Sequence, residues 1–466
     1  MPLQLRTVLS IGAWVSAALF IAALTYAADV GESAANRPFR ITVVEDDCDW
    51  PVPLVELRTT NGQRFVTDNA GVIAFDDPSL MGRPVWFHVN GHGYEIPADG
   101  FGYRGVSLTP TDGGAVSVSV TRTNVARRIG RITGTGLFAE SQKLGDAAGW
   151  SDLPGVGRDS VQLVRWDGSL RWLWGDTTLA RYPLGVFHMT AAVSELHPFD
   201  LRPPLRPRLT PILAGGEPAA VAQMPGDGPT WLTQVMSLVD ADGDEHYVAT
   251  YRKIEPPLST YESGLCEWDA ETERFKHVAT VWRRSSGDEE PPALREGHVV
   301  SWTDANGRPR KLIGNPLLHT SLPATYEAWR KPETWQTHTP PASLPKRGGG
   351  SVVPHSGSIA WNEYRGRWLT VFVSQGPSAL SDVWYAEADS PLGPWDEAIL
   401  VLRHNNYSFY NPRVHGEMAE PGSPVLLFEG TYTATFADRP QPTPRYDYNQ
   451  ILYRLDLDDA IFDRRD

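Results

Sequence analysis

Between Asp159 and Glu429 one pattern keeps returning: a polar residue opens an apolar strand, a short turn follows, and a second apolar strand runs back. These strand starts fall near Asp159, Trp231, Glu296, His355 and Asn411, roughly 55 to 70 residues apart. No helical period is sustained over three turns. Strand repeats of this length restrict the chain to repeated sheet units that bury their apolar faces against one another. The sharpest unit is Asp159-Ser-Val-Gln-Leu-Val-Arg-Trp166, then Asp167-Gly168, then Ser169-Leu-Arg-Trp-Leu-Trp-Gly-Asp176. Asp-Gly between alternating apolar runs marks a two-residue hairpin turn. With Trp166 and Ser169 flanking that turn, residue 159 falls opposite residue 176 on one sheet face, with Cβ atoms ~5 Å apart. Carboxylates that close repel unless a site uses them. Asp159 and Asp176 therefore read as an acid/base or nucleophile pair, against the plainer alternative of two solvated strand-end acids.

Four further hairpins follow: Leu232 to Leu238 with Glu245 to Tyr251, Val299 to Thr303 with Arg310 to Gly314, Ser358 to Trp361 with Arg367 to Ser374, and Val414 with Val425 to Glu429. Five such units predict an all-β chain whose residues 151–466 form a five-bladed β-propeller, with a two-sheet sandwich as the competing arrangement. Residues 123–150 read as a linker, in which Arg131-Ile-Thr-Gly-Thr-Gly-Leu-Phe138 is expected to join the last blade and close the ring. Upstream, short alternating strands such as Arg40-Ile-Thr-Val-Val44 and Ala115-Val-Ser-Val-Ser-Val120 predict a small antiparallel β-sandwich over 38–122.

The first residues carry a different message. An apolar run from Val8 to Leu24 follows Arg6 and ends at Thr25-Tyr-Ala27, the composition of a signal peptide over 1–27. A secreted or periplasmic protein is the expectation, with an uncleaved anchor as the alternative. No comparable apolar stretch occurs later, so no membrane contact is expected beyond export. The formal net charge of −14 argues against a nucleic-acid partner. In an exported chain Cys48 and Cys266 could form one disulfide, but they fall in different predicted units, and unpaired, buried thiols are the expectation. The 17 Trp, 16 Tyr and 15 Phe suit sheet packing and, where exposed, stacking on sugar rings.

In a propeller the innermost strand of each blade lines a central channel, and its end residues open on a funnel. The polar strand starts would meet there. Asp159, Asp176 and Glu296 are the catalytic candidates; His298, His355, Asn411, Arg413, His415 and Glu429 are the candidate substrate-binding residues. Taken singly, each has a structural reading, such as a hydrogen-bonded channel plug. His298, His355 and His415 with Asp159 include metal-ligand types, but their spacing is not diagnostic; no cofactor is expected, and a structural calcium is left open. No Gly-x-Ser-x-Gly elbow supports a serine nucleophile. The Pro-rich stretch Ala437 to Tyr446 reads as a loop over one face of the ring, beside Tyr432, Tyr448 and Tyr453.

Two resemblances add to this reading. Pro53-Leu-Val-Glu-Leu-Arg-Thr-Thr-Asn-Gly62 and Val66-Thr-Asp-Asn-Ala-Gly-Val-Ile-Ala-Phe75 resemble the transthyretin-like or carboxypeptidase-regulatory sandwich family, which implies an accessory module without chemistry of its own. His88, His92 and Tyr94 within it are expected to pack or lie at the surface. Trp172-Leu-Trp-Gly-Asp-Thr177 and Ala388-Asp-Ser-Pro-Leu-Gly-Pro-Trp395 are similar to motifs of the five-bladed propeller glycoside hydrolases, the group of arabinanases, β-xylosidases, fructan hydrolases and their secreted relatives. That resemblance implies an acid at the start of the first blade and a glutamate on the third, and Asp159 and Glu296 stand in those places. The group's Arg-Asp-Pro on the second blade is missing; Tyr251-Arg252-Lys253 and Glu262 are the nearest charged residues. The implied activity is hydrolysis of a glycosidic bond in a poly- or oligosaccharide by paired carboxylates. A non-catalytic carbohydrate-binding propeller is one alternative. A polysaccharide lyase, with a His or Tyr base and Arg413 neutralising a uronate, is another. The sugar, the linkage and the oligomeric state stay open.

Overall fold

The structure, a computed structural model, describes residues 37–376, 380–405, 407–418, 420–437 and 441–463. The expected signal peptide lies outside them. The fold is all-β. Five antiparallel sheets of four strands each follow one another, opened in turn by the strands Gln162–Trp166, Thr230–Val239, His298–Thr303, Pro354–Asn362 and Ser408–Val414. Each opening strand packs against the opening strand of the next sheet. The last returns to the first: the Asn411 side-chain amide donates to Ser160 Oγ (2.6 Å) and Arg413 Nη2 to the Leu163 carbonyl (2.9 Å). The sheets therefore stand as the blades of a propeller around a channel lined by their first strands.

Side chains sew neighbouring blades together where the channel leaves backbone groups unpaired. Gly297 N–H donates to Thr233 Oγ1 (2.9 Å), Gly357 N–H to Asn315 Oδ1 (2.9 Å) and Val414 N–H to Ser358 Oγ (2.7 Å). Apolar clusters fill the wedges between blades. Trp172 and Trp174, fully buried and stacked at 6.0 Å, belong to the one joining the first and fifth blades.

The ring closes one segment earlier than expected. Arg127–Arg131, not Arg131 to Phe138, is the fourth strand of the fifth sheet, pairing Arg131 with Ile451 and Arg127 with Arg454. Downstream, Gly134 and Gly136 adopt φ of 82° and 75°, which turn the chain out of the sheet. The closing strand lies in the mixed segment read as a linker. Its arginines are in fact used inward: Arg128 is buried and donates to Tyr453 Oη (3.0 Å), to the carbonyls of Pro53 (3.0 Å) and Leu54 (3.2 Å), and to that of His92.

Those carbonyls belong to the N-terminal unit, whose eight strands are all hydrogen-bonded together, seven along one path with Gly105–Leu108 branching from Val85–Gly91, rather than as two separate antiparallel sheets. The two-residue strand Tyr94–Glu95 joins the halves, and Phe39–Glu45 runs parallel to Ala115–Arg122. The path encloses a core that includes Ile41, Leu57, Ile73, Phe87 and Val118. Both cysteines are unpaired, as expected, but Cys48 is only partly buried. Among the described residues no helix is long and apolar enough to cross a membrane.

Candidate active site

Residues from all five blades wall a cavity of ≈ 740 Å³ at the end of the ring where the innermost strands begin. The hairpin register is the one read from the sequence, with Trp166 opposite Ser169 and Gln162 opposite Leu173. The ladder then breaks. Ser160 has a φ of 43°, and beyond it the Asp159 carbonyl accepts from Gly175 N–H (2.9 Å) while Asp159 N–H reaches the Asp176 carbonyl (3.4 Å). Both acids line the cavity. A Cβ at 175 would stand 2.1 Å from Asp159 Oδ1, so any other residue there would push that carboxyl aside. The Trp-Gly-Asp sequence thus has a local cause: the glycine lets the Asp159 carboxyl fold over the neighbouring strand.

Burial pushes the Asp159 carboxyl up to about 7, and the nearby Asp176 charge adds to the rise; hydrogen bonds from Tyr410 and Tyr448 oppose it. Tyr410 Oη donates to Asp159 Oδ2 at 2.8 Å. Asp176 is also raised by burial, against a hydrogen bond from Trp231 Nε1 to its Oδ1 (3.2 Å). Trp231 pairs across the second blade with Arg252, and Arg252 Nη1 donates to Glu296 Oε1 at 2.9 Å. The same guanidinium donates through Nε to Glu290 Oε1 at 3.2 Å. The second blade therefore stands between the first-blade acids and the third-blade glutamate, reaching one through Trp231 and the other through Arg252. Arg252 is thus the second-blade charge that stands beside Glu296.

His298, His355 and Asn411 line the same cavity. His298 is held neutral, its affinity for a proton lowered by burial and by the charges of Arg413 and His415. Arg413, His415 and Glu429, expected in the funnel, do not line it. They lie buried, away from the mouth. Arg413 pairs with Glu417 (2.5 Å), and His415 Nε2 lies 3.0 Å from Glu429 Oε1, at ion-pair distance but without the alignment of a hydrogen bond. The histidines and Asp159 do not gather as metal ligands; among the described residues that grouping occurs at Glu45, Asp47 and Cys48, where Arg122 and Arg127 already pair with Glu45.

Sequence reasoning missed Tyr410 as a partner of Asp159, and assigned Tyr448 and Arg252 no role. A tyrosine in a strand reads as core, and only its hydroxyl partner reveals more. Backbone strain could not be read at all: Ser160, Met189, Leu380, Asn411 and Tyr448, all at the cavity, have φ between 43° and 59°. Non-glycine residues in this region cost about 1–3 kcal/mol each and collect where geometry serves a site. Thr435 and Phe436, just ahead of the Pro-rich loop, stand at the mouth, with Phe436 edge-on to Tyr410 at 5.3 Å. Residues 438–440 of that loop lie outside the described residues.

No protein-family model and no curated protein matches the chain. Among solved structures, an exo-β-1,3-galactanase from Phanerochaete chrysosporium, solved with galactose, is similar at a TM-score of 0.40 and 9% identity, over 70% of this chain and 64% of that one. An exo-1,5-α-L-arabinanase from a bovine ruminal metagenomic library gives 0.37 and 12%, over 65% and 94%. A thermostable family-43 glycoside hydrolase gives 0.33 and 11%, over 65% and 90%. Similarity this distant assigns no activity to the chain.

Proposed function

We propose that the protein is an exported glycoside hydrolase that cleaves a neutral poly- or oligosaccharide with Asp159 and Glu296 as its acid and base. One observation carries the reading: a single cavity of ≈ 740 Å³ holds a carboxyl that keeps its proton to about pH 7 together with a second acid from a different blade. Glycosidic cleavage needs both functions at once, a proton for the leaving oxygen and a carboxylate that activates water or attacks the anomeric carbon. In this reading Asp159 delivers the proton and Glu296, oriented by Arg252, acts as the carboxylate. Asp176 is a positioning residue whose charge keeps Asp159 protonated. Trp231, Tyr410 and Phe436 offer apolar ring faces to a sugar.

The charge of the cavity argues against the lyase alternative. Arg413 is buried against Glu417 and away from the cavity wall, and Arg252 is already shared by Glu290 and Glu296. The acids at the wall, Asp159, Asp176, Glu296 and Asp447, would repel a uronate wherever they are ionised. The test is to incubate the purified protein with plant, algal and bacterial glycans and analyse the products. New reducing ends without unsaturated sugars are expected. Unsaturated products would mean elimination, and binding without products would mean a non-catalytic propeller.

A pH profile tests the role of Asp176. Rates should fall as pH rises through about 7, where Asp159 loses its proton. Asp176→Asn removes the like charge, lowers the affinity of Asp159 for its proton and should move that alkaline limb to lower pH. An unmoved limb would remove Asp176 from the mechanism.

A further inference from the structure

The Ser-Pro-Leu-Gly-Pro-Trp turn of the fourth blade is not used by the cavity just described. It walls a second one, of ≈ 430 Å³, between the third and fourth blades. Three of its lining residues are tryptophans: Trp302 and Trp361 both stand edge-on to the buried Trp368, at 6.3 and 5.8 Å. Trp361 is 45% exposed and Leu392, from the turn, is 51% exposed. Trp361 and Leu392 together leave apolar surface open to water at the cleft. Around these rings stand groups that both donate and accept. Arg310 Nη2 donates to Ser321 Oγ (3.1 Å), which also bonds His338 Nε2 (3.0 Å), while Arg308 and Asp304 pair at 2.9 Å on the rim. Asp389 is paired with Arg367 at 3.0 Å and remains 83% exposed.

Flat apolar faces bordered by mixed polar groups match a pyranose, whose C–H face is apolar and whose hydroxyls both donate and accept. Position separates this cleft from the first. His298 and Trp302 lie on one strand, as do the flanking His355 and Trp361, so the cleft sits about 13 to 20 Å further along the same strands, toward the other end of the ring.

We propose that the cleft between Trp302, Trp361 and Leu392 is a second carbohydrate-binding site, which holds a neutral segment of a polysaccharide while the first cavity acts elsewhere on the polymer. Its ligand class rests on the glycoside hydrolase reading. The step is binding alone and involves no covalent chemistry.

The test uses the full chain carrying Glu296→Gln, so that bound polymer is not consumed, with and without Trp361→Ala, by affinity electrophoresis and calorimetry on the glycan panel. Trp361→Ala should weaken polymer binding about tenfold or more, the effect of losing a stacked aromatic face. Trp361→Tyr should restore most of it. In the parent background, Trp361→Ala should slow turnover of polymer while leaving short oligosaccharides unaffected. Trp361 is half-exposed, and thermal unfolding of the variant should match the parent; Leu392→Asp gives an independent second lesion with the same expected loss. Polymer binding that Trp361→Ala and Leu392→Asp leave unchanged overturns the proposal, as does absence of binding to every glycan. If no glycan is hydrolysed by the parent but Trp361-dependent binding is seen, the cleft stands and the catalytic reading falls.

Discussion

Asp159→Asn is expected to abolish glycan turnover, by about a thousandfold or more, and at the same time to stabilise the fold above pH 7. The two effects share a cause. Folding raises the Asp159 carboxyl from its ordinary value near 4 to about 7, through burial and the Asp176 charge. Below pH 4 both folded and unfolded chains carry the proton, and the group places no pH-dependent burden on folding. Between 4 and 7 the unfolded chain releases its proton and the folded chain does not, so stability is lost progressively as pH rises. Above 7 the loss is complete, on the order of 2–4 kcal/mol for this one group. Asparagine keeps an oxygen for Tyr410 Oη and carries no charge. Thermal unfolding of the two proteins should therefore agree near pH 4, while the variant melts higher at pH 8. Equal melting at pH 8 would mean that the carboxyl is not held protonated, and the acid role assigned to it would fail.

The second large effect belongs to the junction with the N-terminal unit. Arg128→Met should cost about 3–5 kcal/mol, because it deletes a buried guanidinium and leaves the carbonyls of Pro53, Leu54 and His92 and the Tyr453 hydroxyl without that donor. Arg128→Lys should recover only part, since a single ammonium cannot reach the same spread of acceptors. Denaturant unfolding measures both. A loss under about 1 kcal/mol would mean that the closing strand is held by its ladder with Asn449–Asp456 alone.

The contrast between Asp159 and Arg413 shows how far residue patterns reach. Asp-Gly at 167 and 168 is a strong local instruction, and the hairpin around it has the register it implies. Asn306-Gly307 is a weaker guide: the loop there holds three residues, closed by Asp304 N–H donating to the Arg308 carbonyl (3.0 Å), and Val299 falls opposite Ile313, one residue from the register a two-residue turn implies. On the fifth blade a simple alternation would set Asn411, Arg413 and His415 on one face. Instead Asn411 has a φ of 49° and the register slips between Tyr410 and Arg413. Each further residue also moves ~3.3 Å along the strand, so His415 lies about 13 Å deeper than Asn411. Only the strand start reaches the cavity. Bulges and left-handed residues of this kind depend on neighbouring blades: Asn411 is held by Ser160 and by Ser356, residues 251 and 55 positions away. Nothing local to position 411 announces them. Arg252 was visible in the sequence as a departure from a familiar pattern, and its role at Glu296 became legible only when the two blades stood side by side.

Glu296→Gln, compared with the parent by the rate of reducing-end release from the glycan the parent cleaves best, tests the account most directly. The change is nearly isosteric, and the side chain is 45% exposed, so the fold should be kept. The account predicts a loss of about a thousandfold or more with unchanged unfolding behaviour. A variant that retains most of the parent's rate, or a parent that cleaves no glycosidic bond in any glycan offered, would contradict it.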